Sequence, residues 1–100
     1  MVNPATSPHK TRVDPETRKE IRHRLLRIAG QVQGLQRMLD EDRYCVDVLI
    51  QVEAAREGLR QVGRLLLRSH LETCVTDAVR RGDGPAAYDE LIAILYKFCR

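Results

Sequence analysis

From Ile21 onward the residues Ile21, Leu25, Ile28, Val32, Leu35 and Leu39 recur at spacings of 4, 3, 4, 3 and 4. That alternation is the heptad signature of an amphipathic helix burying one stripe against other helices, sustained here for almost three heptads. Ahead of it, Asp14-Pro15-Glu16 supplies an N-cap, a proline at the first helical position and a carboxylate at the positive end of the dipole. Gly30 and Gly34 interrupt the stripe at a cost in helix propensity and permit close packing. Asp40-Glu41-Asp42-Arg43 is polar, without Gly or Pro, and reads as a tight connection. A second helix is expected from about Tyr44 to about Arg80. Its seam of Cys45, Leu49, Val52, Leu59, Val62 and Leu66 continues in steps of four to His70 and Cys74. Arg80-Arg81-Gly82 is a C-terminal stop. Asp83-Gly84-Pro85 then starts a third, shorter helix with Leu91, Ile94 and Leu95 on its apolar face, ending near Cys99.

The expected fold is therefore all-α, a long antiparallel helical hairpin plus a short third helix. Each long helix measures roughly 40 Å at the usual rise per residue, and two such hairpins make a four-helix bundle. A chain of 100 residues holds one small domain, placed at 14–100. Residues 1–13, with Pro4, Pro8 and small polar neighbours, read as a disordered arm. With one Phe, three Tyr and no Trp, the chain lacks the large side chains of a self-sufficient core, and oligomerisation is the expected source of the rest. Three cysteines among amphipathic helices do not resemble a secreted disulfide scaffold. The opening decapeptide has no apolar core of a signal peptide, and no apolar run approaches the ~20 residues that span a bilayer. A cytoplasmic protein is expected.

His70 and Cys74 are four residues apart, so on a helix they lie one above the other within reach of one metal ion. Cys45 lies 25 and 29 residues upstream of them, roughly 38–44 Å along a straight helix. One copy of the helix cannot close a three-ligand site. Two antiparallel copies can: the midpoint falls near Gly58-Leu59, and a two-fold axis there sets Cys45 of one chain beside His70 and Cys74 of the other, twice. Gly58 and Gly63 have no side chain to hold two helices apart. A lone buried Cys is often only a small hydrophobe, and a His on a seam is often a satisfied core residue. The chelating spacing, and a third ligand placed by one symmetry operation, favour a site. Two thiolates and an imidazole select Cu(I), zinc or iron–sulfur chemistry over hard cations. Structural zinc wants a fourth ligand and catalytic zinc an open water position; trigonal Cu(I) needs neither. Cys45 and Cys74 could instead answer oxidants or reactive sulfur by bridging between chains, a role that gives His70 nothing to do.

The formal charge of +3 and pI near 9.0 are only mildly basic, so distribution matters more than the total. Arg18, Lys19, Arg22, Arg24, Arg27 and Arg37 face a single acid, Glu20, between residues 18 and 37. On the second helix Arg56, Arg60, Arg64 and Arg68 recur every four residues, with acids placed for pairs such as Glu53–Arg56 and Glu57–Arg60. Each arginine alone reads as a solvated side chain. Together, and repeated across an oligomer, they could neutralise many phosphates, although no helix-turn-helix, zinc-finger or ribbon signature is present. Nor is there a Ser-His-Asp order, a P-loop, a dinucleotide fingerprint or a di-metal Glu-x-x-His pair. An enzyme is not expected.

Three stretches resemble the copper-sensitive operon repressor family. They are Arg27-Ile28-Ala29-Gly30-Gln31-Val32-x-Gly34-Leu35-x-x-Met38-Leu39, Asp42-Arg43-Tyr44-Cys45-Val46-Asp47-Val48-Leu49, and His70-Leu71-Glu72-Thr73-Cys74-Val75. The likeness runs from about Arg18 to Leu95. It implies an all-α dimer pairing into a dimer-of-dimers tetramer, which binds operator double-stranded DNA when metal-free and releases it on binding Cu(I), one ion per protomer. By that resemblance Cys45 of one protomer and His70 and Cys74 of its partner are the ligands. Tyr44 and Glu90 fall where copper-sensing members connect the histidine to the third helix. Arg24 and Arg27 fall where the family contacts DNA, with Arg64 beside them and Arg18 and Arg22 in the same basic stretch. Relatives that sense nickel, cobalt, formaldehyde or persulfide alter the ligand pattern, some with a nitrogen ligand near the N-terminus. His9 and His23 keep that variant open. Cys99 lies outside the pattern.

Overall fold

A computed structural model describes residues 13–98 of the chain. Among the described residues every regular element is helical: α1 (Pro15–Asp40), α2 (Cys45–His70), one π-helical turn (Leu71–Val75), α3 (Thr76–Arg80) and α4 (Gly84–Phe98). The helix expected from Tyr44 to Arg80 is thus one run of α2, π-turn and α3. The all-α hairpin with a shorter closing helix is borne out. All of the expected N-terminal arm but Val13, and with it His9, lies outside the described residues, as does Cys99. The chain divides into two compact units, one of Asp14–Leu67 and one containing Arg68–Arg100.

In the first unit α1 begins as its sequence dictates. Asp14 accepts the Thr17 N–H at 2.7 Å and the Thr17 hydroxyl at 3.0 Å, and Pro15 occupies the first turn. Those two hydrogen bonds, the backbone one first, hold the Asp14 carboxyl below its ordinary value of 3.8. The other end of α1 was less legible. Asp42 stands at φ 54, with the Asp42 N–H donating to Leu39 O at 3.2 Å and the Arg43 N–H to Met38 O at 3.0 Å. This paired pattern is a Schellman cap, whose left-handed position usually falls to glycine. After α3 the same cap recurs with Gly82 at φ 85, where Gly82 donates to Val79 O and Asp83 to Ala78 O. An L side chain costs about 1 kcal/mol or more in that conformation, Asp less than most. Asp42→Gly is therefore expected to stabilise the fold by up to about 1 kcal/mol, read as a raised melting temperature at fixed protein concentration.

The hairpin is antiparallel. Arg24 Nη1 on α1 donates to Gln61 Oε1 on α2 at 2.6 Å, and a Cβ on Gly58 would stand 3.1 Å from Ile28 Cγ1. Gly58 lets α1 approach α2 within one chain; Gly30 and Gly63 would meet nothing within 4 Å. The expected seams turn out to be split. On α1, Ile21 and Ile28 are buried while Leu25, Val32 and Leu39 are exposed; on α2, Ala55 and Val62 are buried while Val52, Leu59 and Leu66 are exposed. The residues of each set recur mainly at sevens. One half of each heptad pattern closes the hairpin, and the other half is left bare.

In the second unit α4 packs against α3 and against the π-turn. Val75 and Ala78 are buried. The Asp83 carbonyl accepts the Ala87 N–H at the start of α4. A Cβ on Gly84 would lie in ordinary contact with Val79 and Tyr88.

Candidate metal centre and basic surface

Cys45 is the first residue of α2 and His70 the last; Cys74 lies within the π-turn that follows. Cys45 is exposed, Cys74 is half-buried, and neither is in a disulfide. His70 is half-buried. The chain enters α2 through the Tyr44 carbonyl, which accepts the Asp47 and Val48 N–H groups, while the Tyr44 ring is exposed. Among the described residues no three His, Cys, Asp or Glu side chains are grouped to hold a metal ion.

The turn between His70 and Cys74 departs from the expected α-helix. Its backbone ladder runs i→i+5, so it holds roughly one residue more than an α turn. The Thr73 hydroxyl donates to Ser69 O at 2.7 Å, with its oxygen 3.6 Å from Cys74 Sγ. The Thr76 hydroxyl donates to Leu71 O at 2.9 Å. Four residues overshoot one α turn by about 40° and fall short of one π turn. His70 and Cys74 therefore still occupy neighbouring positions on one side of the helix, with a different offset. Sequence reasoning passed over Thr73 and Thr76. Their one signal was a pair of hydroxyl residues able to bond back to helix carbonyls beside a candidate ligand.

Glu90 is exposed on α4. Among the described residues no hydrogen bond or ion pair joins it to His70.

The basic residues sort into committed and uncommitted side chains. Arg56 pairs with Glu53 at 3.1 Å, Arg60 with Glu57 at 3.7 Å and Arg68 with Glu72 at 2.9 Å. Arg64 alone in that stripe has no ion pair among the described residues. On α1, Arg24 is held by Glu20 at 3.1 Å as well as by Gln61. Arg18, Arg22 and Arg27 are exposed without an ion pair among the described residues; His23 is exposed beside them. Arg24 and Arg27 also flank a polar groove of about 180 Å³ between α1 and α2, lined further by Gln31, Glu57 and Gln61. The Gln31 Oε1 atom is buried there without a hydrogen-bond partner.

An all-helical chain with a Cys/His turn and uncommitted arginines has the make-up of a metal-responsive, nucleic-acid-directed regulator. The pattern of the metal-sensitive transcriptional repressors matches residues 17–97, and the chain belongs to that family, one of transcription regulators rather than enzymes. It is 42% identical over 94 residues to the copper-sensing transcriptional repressor CsoR of Bacillus subtilis, covering 92% of this chain and 93% of that protein. Among solved structures it is similar to the copper-sensing repressor CsoR with Cu(I) from Geobacillus thermodenitrificans. The TM-score there is 0.85 at 40% identity, covering 94% of this chain and 100% of that one. It is also similar to the nickel-responsive transcriptional regulator InrS, with a TM-score of 0.70 at 35% identity, covering 92% of this chain and 99% of that one. No helix among the described residues is long and apolar enough to cross a membrane.

Proposed function

We propose that this chain is a Cu(I)-responsive transcriptional repressor that holds operator DNA when metal-free and lets it go in the Cu(I)-bound state. The observation that carries the reading is the Cys45, His70 and Cys74 donor set, with His70 closing α2 and Cys74 four residues on in the π-turn that packs against α4. Two thiolates and an imidazole suit a soft monovalent ion and offer hard cations nothing. Copper-sensing relatives at about 40% identity support the choice of metal. When bound, Cu(I) supplies bonds to two thiolates and one imidazole, one ion per protomer.

The assembly follows from the bare half of each heptad pattern. Leu25, Val32 and Leu39 on α1, with Val52, Leu59 and Leu66 on α2, are apolar and exposed, and a second copy of the hairpin covers them in a four-helix bundle. In that dimer Cys45 of one protomer joins His70 and Cys74 of its partner, and two dimers pair as a tetramer. Ligation fixes Cys74 on the π-turn that packs on α4 and His70 at the end of α2 just before it, so ligation biases the placement of α4, with Tyr44 and Glu90 engaging His70 in the bound state. The bias acts on the relative stability of DNA-competent and DNA-incompetent assemblies, a coupling free energy shared by both sites. Arg18, Arg22, Arg27 and Arg64 meet phosphates, and Arg24 orients that surface through Gln61.

Subunit mixing tests the shared site. Cys45→Ser and His70→Ala homo-oligomers should each bind Cu(I) weakly. A refolded equimolar mixture should regain tight binding at a fraction of its sites, because a mixed dimer holds one intact set. No recovery on mixing would count against ligands drawn from two chains.

A further inference from the structure

The geometry points to Thr76, seconded by Thr73, as the positioning residue that fixes the direction of the Cys74 thiolate; this rests on Cys74 and His70 being metal ligands. A π-turn is rare and needs a cause. Leu71-Glu72-Thr73-Cys74-Val75 has neither Gly nor Pro to interrupt an α-helix. The turn coincides instead with two hydroxyl bonds to the backbone. In an α-helix the Leu71 carbonyl is matched to the N–H four residues on; in the π ladder it is matched to residue 76. The Thr76 hydroxyl donates to that carbonyl at 2.9 Å, across five residues. One turn earlier the Thr73 hydroxyl occupies Ser69 O at 2.7 Å. Side-chain hydroxyls that take up helix carbonyls loosen the regular ladder. Here they do so on both sides of Cys74.

The consequence for the site is geometric. Relaxing the segment to α-helix would shift the register after it by one residue, which is a rotation of roughly 100° about the helix axis. Cys74 would move from one side of His70 to the other. Val75 and Ala78, both buried, would turn away from their present contacts, so the packing of α3 and α4 holds the wide turn together with the hydroxyl bonds. The chain thus spends a rare helical turn where the spacing between two donors has to be set. Partners that orient metal ligands commonly govern affinity 10- to 100-fold.

The test uses the full chain. Thr76→Val keeps the branched shape and deletes the hydroxyl; Thr76→Ser keeps the hydroxyl. Cu(I) affinity is measured anaerobically by competition with a chromogenic chelator, and the coordination sphere by near-ultraviolet thiolate-to-copper absorption and X-ray absorption. Thr76→Val should lose about tenfold or more in affinity with an altered absorption band, and Thr76→Ser should match wild type in both. Metal-free helix content should be alike in all three. Thr76→Ala, which also lacks the hydroxyl but favours an α-helix, carries the same expected outcome where valine disturbs folding. Wild-type affinity and spectrum in the hydroxyl-free variants would overturn the positioning role and leave the metal site standing. A wild-type chain that binds Cu(I) no better than His70→Ala would overturn the site, and this role with it.

Discussion

His70→Ala is expected to lower Cu(I) affinity by more than about 100-fold, since altering a mere supporting partner of a ligand already costs 10- to 100-fold. The metal-free variant should bind operator DNA as wild type does, because His70 lies outside the exposed arginine set of α1 and Arg64. Titration of the variant–DNA complex with Cu(I) should therefore leave it intact at concentrations that dissociate the wild-type complex. The pairing of lost response with retained DNA affinity separates this reading from one in which His70 merely packs. A packing residue would weaken both together. It also separates copper sensing from thiol sensing, since a bridge between Cys45 and Cys74 has no need of the imidazole.

The second large effect concerns the arginines. Arg27→Ala combined with Arg64→Ala removes two exposed guanidiniums that no carboxylate neutralises among the described residues. For every phosphate left without its arginine, the slope of log affinity against log salt should shrink by about 0.9. Because each change is repeated in every protomer, the combined weakening at moderate salt should amount to orders of magnitude. Arg56→Ala with Arg60→Ala is the control. Those side chains are engaged by Glu53 and Glu57 in exposed pairs that contribute little to stability, and the salt slope should barely move. Equal slopes in the two double variants would show that DNA does not select the uncommitted arginines.

The contrast expected between the two pairs was partly legible in the spacing: Glu53 and Glu57 stand three residues before Arg56 and Arg60, and the structure forms both ion pairs, whereas no acid lies three or four residues from Arg64. The helices themselves were legible because Asp14-Pro15 and the run from Ile21 to Leu39 repeat one instruction at the levels of cap, propensity and period. The division of each seam into a buried and a bare half was not. Residues 21 and 28 differ from 25 and 32 only through the position of a neighbouring helix, which a single-helix pattern does not contain. The cap at Asp42 escaped notice because its left-handed residue is not glycine, whereas Gly82 announced the same motif. The donor set stood out through its four-residue spacing. The wide turn between His70 and Cys74 coincides with hydroxyl bonds to the backbone and with packing on α4, neither of which changes the apolar period.

Release of DNA by Cu(I) at the Cys45–His70–Cys74 site is tested most directly by anaerobic anisotropy titration. The probe is a labelled duplex selected from random sequence by the metal-free protein, titrated in parallel with Cu(I), Zn(II), Ni(II) and a persulfide donor. Release is expected with Cu(I) alone, complete at one equivalent per chain and absent in His70→Ala. Release by the persulfide donor with Cu(I) inert, unchanged in His70→Ala, would contradict the copper-sensing role and assign the response to the two cysteines.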